Sequence, residues 1–371
     1  MVRYNVIDLF AGVGGLSYGF SELPEFSIIA ANEIDRNIAV AYKLNHPGVY
    51  MIDCDIKTLD KNLLEKAIKG ENIDLIVGGP PCQSYSTLGK RFMDDRAGLF
   101  MQYKRILKTL MPDAFVFENV TGILSMDNGR LFTSVQTEFE ELGYILKYKV
   151  LDAVNYGVPQ HRERVILVGF FGENPFDFPV PTHGDGKIPY ISMKDALCDL
   201  PILKSGQRAD EYMKDADNPF LEYVRKGSQK LTEHIAPKNG EHLIRIMESL
   251  KDGQGKDDLP ESIRPKSGYC NTYSKLWWDR PAMTITRNFA CPSSSRCIHP
   301  RDSRAMTVRE GARLQSFPDK YVFYGSESTK RLEIGNAVPP LLSKAIAKQM
   351  LVALNIYNSR KQPQIISDGC F

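Results

Sequence analysis

Short apolar runs alternate with helix-like stretches over the first 170 residues of the chain. The apolar runs lie at 4–10, 27–33, 50–55, 74–79 and 114–119, and two more follow at 144–153 and 164–170. Apolar residues at helical spacing fall between them, near 36–45, 59–69, 97–111 and 129–142. This alternation predicts an α/β fold, in which a Rossmann-like parallel sheet is covered by helices on both faces.

The pattern changes after about residue 172. A stretch rich in Pro and Gly at 173–189 is typical of a linker, and the chain then stays polar and irregular to about residue 300. Apolar residues return at helical spacing over 339–358, which predicts a closing helix. We therefore expect a first domain over 1–177, a smaller irregular domain over 178–300, and a segment over 301–371 that returns to the first domain.

Composition restricts the kind of protein. The 371 residues are 43% apolar and 25% charged with a net charge of +2, which is typical of an ordinary globular protein. The seven cysteines are widely scattered and form no C-x-x-C pair, which favours reduced thiols. No signal peptide and no run of membrane-spanning length is recognisable, so we expect a cytoplasmic protein without a membrane partner.

Six arginines with few nearby acids predict a local basic surface: Arg287, Arg296, Arg301, Arg304, Arg309 and Arg313.

A glycine-rich turn follows the first predicted strand, in "DLFAGVGGLSYGF" (8–20). Gly12 and Gly14 would let the backbone turn tightly and approach a ligand. Glu33 ends the second strand and could accept hydrogen bonds from ribose hydroxyls, while Asp55 ends the third and could accept from an adenine amino group. These residues predict an adenosine-containing cofactor, and they leave both a dinucleotide and S-adenosylmethionine open, although Ser17 replaces the third glycine of the NAD fingerprint.

Reactive side chains follow the next strands at the same predicted edge of the sheet. Cys82 follows the fourth strand in "GGPPCQSYST" (78–87), and the two prolines before it hold the chain extended. Glu118 ends the fifth strand, and Arg162 and Arg164 begin a later one, two residues apart and so on one face. We expect a thiol, a carboxyl and two guanidinium groups to converge beside the cofactor.

Methylation of cytosine at carbon 5 requires such a set. A thiolate adding to carbon 6 would activate carbon 5, a carboxyl could protonate ring nitrogen 3, and arginines could hold the ring carbonyl and a nearby phosphate. Neighbouring arginines would also lower the pKa of the thiol. Taken singly, each of these residues is equally compatible with a structural role, and only their joint occurrence favours chemistry.

The sequence resembles the C5-cytosine-specific DNA methyltransferases of bacterial restriction-modification systems over nearly its whole length. The shared motifs occur in the family's order: "DLFAGVGGLSYGF", "NEID" (32–35), "DCDI" (53–56), "GGPPCQSYS", "FENV" (117–120), "PQHRERVILVG" (159–169), "REGARLQSFPD" (309–319) and "IGNAVPP" (334–340). The resemblance implies the S-adenosylmethionine-dependent methyltransferase fold, with residues 178–300 as the target-recognition domain. It implies methyl transfer to carbon 5 of a flipped-out cytosine in a specific double-stranded DNA sequence.

The resemblance also implies roles for individual residues. Cys82 would be the nucleophile, Glu118 would hold the ring edge, and Arg164 with Arg162 would contact the flipped base and neighbouring groups. The S-adenosylmethionine pocket would be formed by Phe10, Gly12, Gly14, Leu16, Glu33, Ile34, Asp55, Ile56, Pro80, Leu99, Asn336 and Ala337. DNA contacts would come from a mobile loop, through Ser86, Lys90 and Arg91, and from Arg280, Thr284, Thr286 and Arg287.

The sequence also leads to expectations about the assembly state, the alternative functions and bound metal. The enzyme is expected to be a nucleoid-associated monomer that can be paired with a restriction endonuclease. A tRNA methyltransferase with the same catalytic set, a non-catalytic DNA-binding member and an NAD-dependent oxidoreductase are the alternatives. No metal is expected, because Cys291, Cys297 and His299 lack a fourth ligand.

Overall fold

The computed structural model describes residues 3–81, 98–266 and 271–361 of the chain. Its main feature is a seven-stranded sheet. The strands are β1 (Tyr4–Leu9), β2 (Phe26–Asn32), β3 (Tyr50–Ile52), β4 (Leu75–Gly78), β5 (Ala114–Val120), β6 (Tyr144–Asp152) and β7 (Glu163–Phe171). All seven predicted strands are present, with ends that differ by at most a few residues.

The strands lie in the order β3-β2-β1-β4-β5-β7-β6. The first five pair in parallel, as predicted, whereas β7 runs antiparallel to both β5 and β6. Because Val120 at the end of β5 pairs with Arg164 near the start of β7, the beginning of β7 lies at the same edge as the carboxyl ends of the parallel strands. This edge carries the predicted site residues.

Helices follow the strands in the predicted places. In chain order they are α1 (Gly15–Ser21), α2 (Arg36–Asn45), α3 (Lys61–Ile68), α4 (Gly98–Leu110), α5 (Arg130–Glu140), α6 (Met193–Leu197), α7 (Pro219–Arg225), α8 (Glu241–Ser249), α9 (Val308–Leu314), α10 (Glu327–Asn336) and α11 (Pro340–Lys361).

Both faces of the sheet are buried under helices. Successive side chains of a strand point to opposite faces, so neighbouring residues of β1 pack against different helices. Val6 packs with α1 and α11, through residues such as Phe20 and Ile346. The next residue, Ile7, packs on the other face with α3, α4 and α5, through residues such as Ile106. The predicted two-layer cover is therefore confirmed.

The predicted closing helix is α11, which begins at Pro340 and packs on the sheet through Leu342, Ile346 and Met350. Together with α10 it is long and apolar enough to cross a membrane by length and composition alone. More than half of its most apolar window is buried inside the protein. Packing on the sheet accounts for that apolar character.

A second core lies between residues 193 and 334, where the chain has few regular elements. It combines α6, α7, α9 and α10 with side chains such as Ile285 and Phe289, and it also takes in Val13 and Ile38 from the first part of the chain. One small parallel pair, β8 (Ser274–Lys275) with β9 (Arg296–Ile298), lies in the same region. The boundaries at 177 and 300 stay predictions.

The prediction of a basic surface is wrong for three of its six arginines. Arg304, Arg309 and Arg313 are fully buried. Arg304 pairs with Asp302 and Glu310, and Arg313 pairs with Asp199 and Asp319. Asp199 lies more than a hundred residues from Arg313, so a local count of charges could not reveal this pairing. Of the six, Arg287 is exposed, and Arg296 and Arg301 are half-buried.

A buried carboxyl lies beneath the glycine turn. The Ser17 hydroxyl donates to Asp8 Oδ2 at 2.6 Å, and Ser17 Oγ lies 2.7 Å from the Tyr42 hydroxyl. Burial raises the pKa of Asp8 from its ordinary value of 3.8 to about 7. Between these two values the folded chain holds a proton that the unfolded chain has released, so the free energy of unfolding decreases as pH rises through this interval.

We therefore expect Asp8→Asn to unfold with a larger free energy than the unsubstituted chain at pH 8. A unit of pKa is worth about 1.4 kcal/mol, so a shift of roughly three units sets an upper limit of about 4 kcal/mol. The difference should shrink as pH falls through 7 towards 4. Urea unfolding at pH 8 and pH 5 measures it, and a difference that is equal at both pH values would contradict the assignment.

Candidate active site

The glycine turn between β1 and α1 forms an open cradle. Phe10, Gly12 and Gly14 all have positive φ, at 57°, 56° and 94°. A Cβ on Gly14 would lie 2.6 Å from His46 Nε2, so this glycine is required by packing within the protein. A Cβ on Gly12 would meet no atom within 4 Å. The space beside Gly12 is therefore open to a ligand, which fits the predicted cofactor.

Glu33 lies across this cradle as predicted. Its Oε2 accepts from the Gly12 amide at 2.9 Å, and its Oε1 accepts from the Asp35 amide at 2.8 Å. Burial raises the pKa of Glu33, although these backbone donors oppose the shift. Each carboxylate oxygen has a further lone pair, so Glu33 can hold the turn and still accept from a ribose hydroxyl.

The other predicted cofactor residues differ in how accessible they are. Ile34 is 63% exposed, so its side chain is accessible to a ligand. Asp55 Oδ1 accepts from the Lys57 amide at 2.9 Å and thereby begins a short 3₁₀ turn. Phe10 and Leu99 pack, half-buried, on the same hydrophobic cluster. Leu16, Ile56 and Pro80 are buried, so a ligand would meet little of their side chains.

The end of α10 returns to the glycine turn, as predicted. A Cβ on Gly15 would lie 2.3 Å from the Val338 carbonyl oxygen and 3.3 Å from Ala337 Cβ. Ala337 is half-buried and Asn336 is exposed. The cradle is thus bounded by residues that are more than 300 positions apart in the sequence.

Glu118 and Arg164 form a buried ion pair at the end of β5. Arg164 Nε lies 2.8 Å from Glu118 Oε1, and both side chains are 11% exposed. Burial raises the pKa of Glu118, against the opposing effects of Arg164 and then Arg162. Glu118 Oε2 lies 2.5 Å from where a Cβ on Gly79 would be, so a glycine is required there for the carboxyl to lie against the end of β4.

The adjacent Asn119 fixes the chain that leads to the predicted nucleophile. Its Nδ2 donates to the Pro80 carbonyl at 3.0 Å. Pro80 and Pro81 precede Cys82, so this bond ties the last described residues before Cys82 to the strand that carries Glu118. Cys82 itself lies outside the described residues, as do Ser86, Lys90 and Arg91.

Most hydrogen-bond donors of Arg162 are occupied by backbone carbonyl groups of the protein itself. Arg162 is 1% exposed, and its two terminal nitrogens donate to the carbonyl oxygens of Ile285, Gly335 and Ala337 at 3.0, 2.8 and 2.9 Å. Its Nε has no partner among the described residues. Three of the five N–H groups of Arg162 are thus used, which leaves Nε–H and one N–H of the nitrogen bonded to Ile285 for a substrate.

Gln160 is a site-associated residue that sequence reasoning missed. It is fully buried, and its Oε1 accepts from the Ile285 amide at 2.9 Å. The alternation Gln160, Arg162, Arg164 was a signal that could have found it, because residues two apart share one face of a strand.

The predicted DNA contacts at 280–287 are all exposed: Arg280, Thr284, Thr286 and Arg287. The Thr284 hydroxyl donates to the His161 carbonyl at 2.8 Å, which places this segment beside the start of β7. The Arg280 guanidinium carbon lies 5.6 Å from the centre of the Trp277 ring. The segment is thus bonded to the chain just before β7, three residues before Arg164.

The candidate zinc ligands do not form one group. Cys291 is exposed and Cys297 is buried. His299 instead lies with Asp302 and Glu310, and one ligand atom from each of these three residues lies within 4.8 Å of the other two. Arg304 donates to both carboxylates and Arg301 donates to Asp302, so two guanidinium groups already balance the two negative charges.

Comparisons with known proteins agree with this geometry. A family model described as C-5 cytosine-specific DNA methylase matches residues 4–352. The type II methyltransferase M1.HphI of Haemophilus parahaemolyticus is 34% identical over 349 residues, which cover 93% of this chain and 86% of that protein. M.DdeI of Desulfomicrobium norvegicum is 37% identical over 368 residues, covering 93% and 88%.

Solved structures show the same similarity. A prophage-encoded DNA modification methyltransferase of E. coli superposes with a TM-score of 0.78 at 26% identity, covering 95% of this chain and all of the other. A Spodoptera frugiperda DNMT2 mutant shares the fold, with a TM-score of 0.62 at 18% identity and coverage of 95% and 100%. The chain therefore belongs to the C-5 cytosine-specific DNA methylase family and is a DNA (cytosine-5-)-methyltransferase.

Proposed function

We propose that this enzyme transfers the methyl group of S-adenosylmethionine to carbon 5 of a flipped-out cytosine in one specific duplex DNA sequence, through a covalent bond between Cys82 and carbon 6. The observation that carries the proposal is the buried Glu118–Arg164 pair. It lies beside the strand end that leads into Cys82, at the same sheet edge as the open cradle of Gly12. The ion pair, the open cradle and the last described residues before Cys82 thus share one edge, which supports the proposal.

The chemistry assigned to the protein follows from these groups. The Cys82 thiolate would bond to carbon 6, which moves electron density to carbon 5. Glu118 in its protonated form would donate to ring nitrogen 3, and the burial that raises its pKa favours that form. Arg164, already held by Glu118, would donate to the ring carbonyl. Once carbon 5 carries the methyl group, a solvent base would take the carbon 5 proton and the bond between sulfur and carbon 6 would break, with the sulfur leaving as thiolate. Ring nitrogen 3 would return its proton to Glu118, which restores the aromatic ring and the starting state of the enzyme.

S-adenosylmethionine, when bound, would supply the electrophilic methyl group. The open space at Gly12, the carboxylate of Glu33 and the exposed Ile34 fit an adenosine group. Leu16, Asp55, Ile56, Pro80, Leu99, Asn336 and Ala337 remain assigned to the same pocket. The base must leave the duplex, because both ring faces and carbon 5 have to be reached.

We expect Gly12→Ala to weaken S-adenosylmethionine binding about tenfold or more, since the added methyl fills the space that the ligand needs. Gly70→Ala is the matched control. Gly70 also has a positive φ, 80°, and no atom within 4 Å of a built Cβ, but it follows α3 and precedes β4. Both variants should lose similar stability from backbone strain. Isothermal titration measures the affinity, and equal affinities in the two variants would remove Gly12 from the pocket.

A transfer assay tests the substrate. Purified enzyme with methyl-labelled S-adenosylmethionine should label duplex DNA and leave tRNA unlabelled. Label on tRNA alone would replace the DNA proposal with the tRNA alternative. A restriction endonuclease of the same specificity, a monomeric state and a location at the nucleoid in the cytoplasm complete the proposal, and the type II relatives support the first of these.

A further inference from the structure

A buried polar junction joins the start of β7 to two distant segments of the chain. The first is the strip 282–287, which carries the exposed Thr284, Thr286 and Arg287. The second is the turn 334–337 at the end of α10. We call Gln160 and Arg162, with their bonds to these two segments, the brace.

Gln160 uses both ends of its amide. Its Oε1 accepts from the Ile285 amide at 2.9 Å, and its Nε2 donates to the Leu314 carbonyl at 2.6 Å and to Gln315 Oε1 at 3.0 Å. Gln315 in turn donates to the Ile334 carbonyl at 2.7 Å. Gln160 and Gln315 are fully buried, so water cannot replace these partners.

Arg162 bonds both segments at once. One terminal nitrogen holds Ile285 of the strip, and the other holds Gly335 and Ala337 of the turn. The backbone also leaves little freedom here, because a Cβ on Gly335 would lie 2.2 Å from the Arg287 amide nitrogen. The His161 amide donates to the Ala282 carbonyl at 2.9 Å and completes the attachment of the strip to β7.

The brace is directly continuous with the pair that holds the base. Arg162 is two residues from Arg164 on the same strand edge, and Arg164 is bonded to Glu118. A displacement of the strip relative to Glu118 would therefore break bonds to a buried guanidinium and a buried amide. Such a network permits one arrangement and penalises all others.

We propose that Gln160 and Arg162 are positioning residues that set the register between the DNA-reading strip 282–287 and the Glu118–Arg164 pair. The inference rests on the proposed function, in which the strip contacts DNA and the pair holds cytosine. In this proposal the brace couples recognition of the DNA sequence to catalysis. The correct DNA sequence places its cytosine at Glu118 only while the brace holds the strip in place.

Two variants and one matched control test the brace. Arg162→Lys keeps a positive charge but cannot reach three carbonyl groups. Gln160→Met keeps the length of the side chain and loses all three of its hydrogen bonds. Arg309→Lys is the control, because Arg309 is also fully buried and donates mainly to backbone carbonyls, those of Thr232, Pro318 and Tyr321, none of which belongs to the strip 282–287 or the turn 334–337.

The first readout is hydrogen exchange of peptides that contain Ile285. Exchange there should be roughly tenfold faster or more in both brace variants than in Arg309→Lys, since the amide loses its fixed acceptor or its supporting segment. This measurement needs no activity, so it judges the brace even if the proposed function is wrong. Equal protection in all three proteins would overturn the brace.

The second readout is discrimination, the ratio of kcat/KM for the cognate duplex to that for a duplex with one altered base pair. A loss of folded enzyme cancels in this ratio, so a merely structural role would not change it. We expect the ratio to fall about tenfold in Gln160→Met and Arg162→Lys and to stay unchanged in Arg309→Lys. An unchanged ratio in both brace variants would overturn the positioning role, whereas failure of the unsubstituted enzyme to methylate any duplex would overturn the proposed function instead.

Discussion

Glu118→Gln should lower kcat on duplex DNA by roughly 10²–10⁴-fold, the range in which a positioned acid or base contributes. Glutamine keeps the shape and can still accept from Arg164, but its amide N–H is not acidic, so it can donate a hydrogen bond to ring nitrogen 3 and cannot transfer a proton to it. Binding of S-adenosylmethionine should stay near that of the unsubstituted enzyme, because Glu118 is bonded to Arg164 and not to the Gly12 cradle. Steady-state methyl transfer and a binding titration measure the two quantities.

Glu163→Gln is the control for this variant. Glu163 lies between Arg162 and Arg164 in the sequence, but it is exposed. The same chemical change there should leave kcat nearly unaltered. The pH dependence gives a further check. In the proposed mechanism the protonated form of Glu118 is the active one, so kcat should fall as pH rises through its raised pKa, and this decrease should be missing in Glu118→Gln. Equal kcat values for the two glutamine variants would contradict the role of Glu118.

Cys82→Ala should abolish methyl transfer, with a loss of at least about 10⁴-fold, as is seen when other enzymes lose a covalent nucleophile. The reason is chemical: without a sulfur at carbon 6, carbon 5 of cytosine is too weak a nucleophile to attack the methyl donor. Affinity for S-adenosylmethionine should be retained. Duplex DNA that contains 5-fluorocytosine should trap the unsubstituted enzyme covalently and leave Cys82→Ala free.

Cys291→Ala is the control for the cysteine variant, since Cys291 is an exposed free thiol far along the sequence. It should be trapped like the unsubstituted enzyme. Trapping of Cys82→Ala, or undiminished transfer by it, would refute the assignment of the nucleophile.

Much of the framework of the site follows from local patterns. The apolar runs predicted all seven strands of the sheet. The five parallel strands are short continuous apolar segments, as a buried parallel sheet requires, whereas the antiparallel direction of β7 was not predicted. Strand ends then placed the glycine turn, Glu33, Glu118 and Arg164 at one edge without knowledge of any contact. The positive φ of Gly12 and Gly14 confirms the tight turn that their spacing indicates.

Long-range pairing could not be predicted in the same way. Arg313 looked like part of a basic surface, yet its partner Asp199 lies over a hundred residues earlier. Arg162 looked equivalent to Arg164, yet its terminal nitrogens are bonded to carbonyls that come from 123 to 175 residues later. Backbone acceptors have no sequence signature, so only the folded chain shows that Arg162 is bonded to backbone carbonyls while Arg164 is bonded to Glu118.

Bisulfite sequencing of DNA from cells that express the enzyme tests the central claim most directly, with cells that express Cys82→Ala beside them. We expect protected cytosines at one position of one short recurring sequence, present with the unsubstituted enzyme and absent with Cys82→Ala. Protection that persists in Cys82→Ala, or DNA without protected cytosines in cells that contain the folded enzyme, would contradict it.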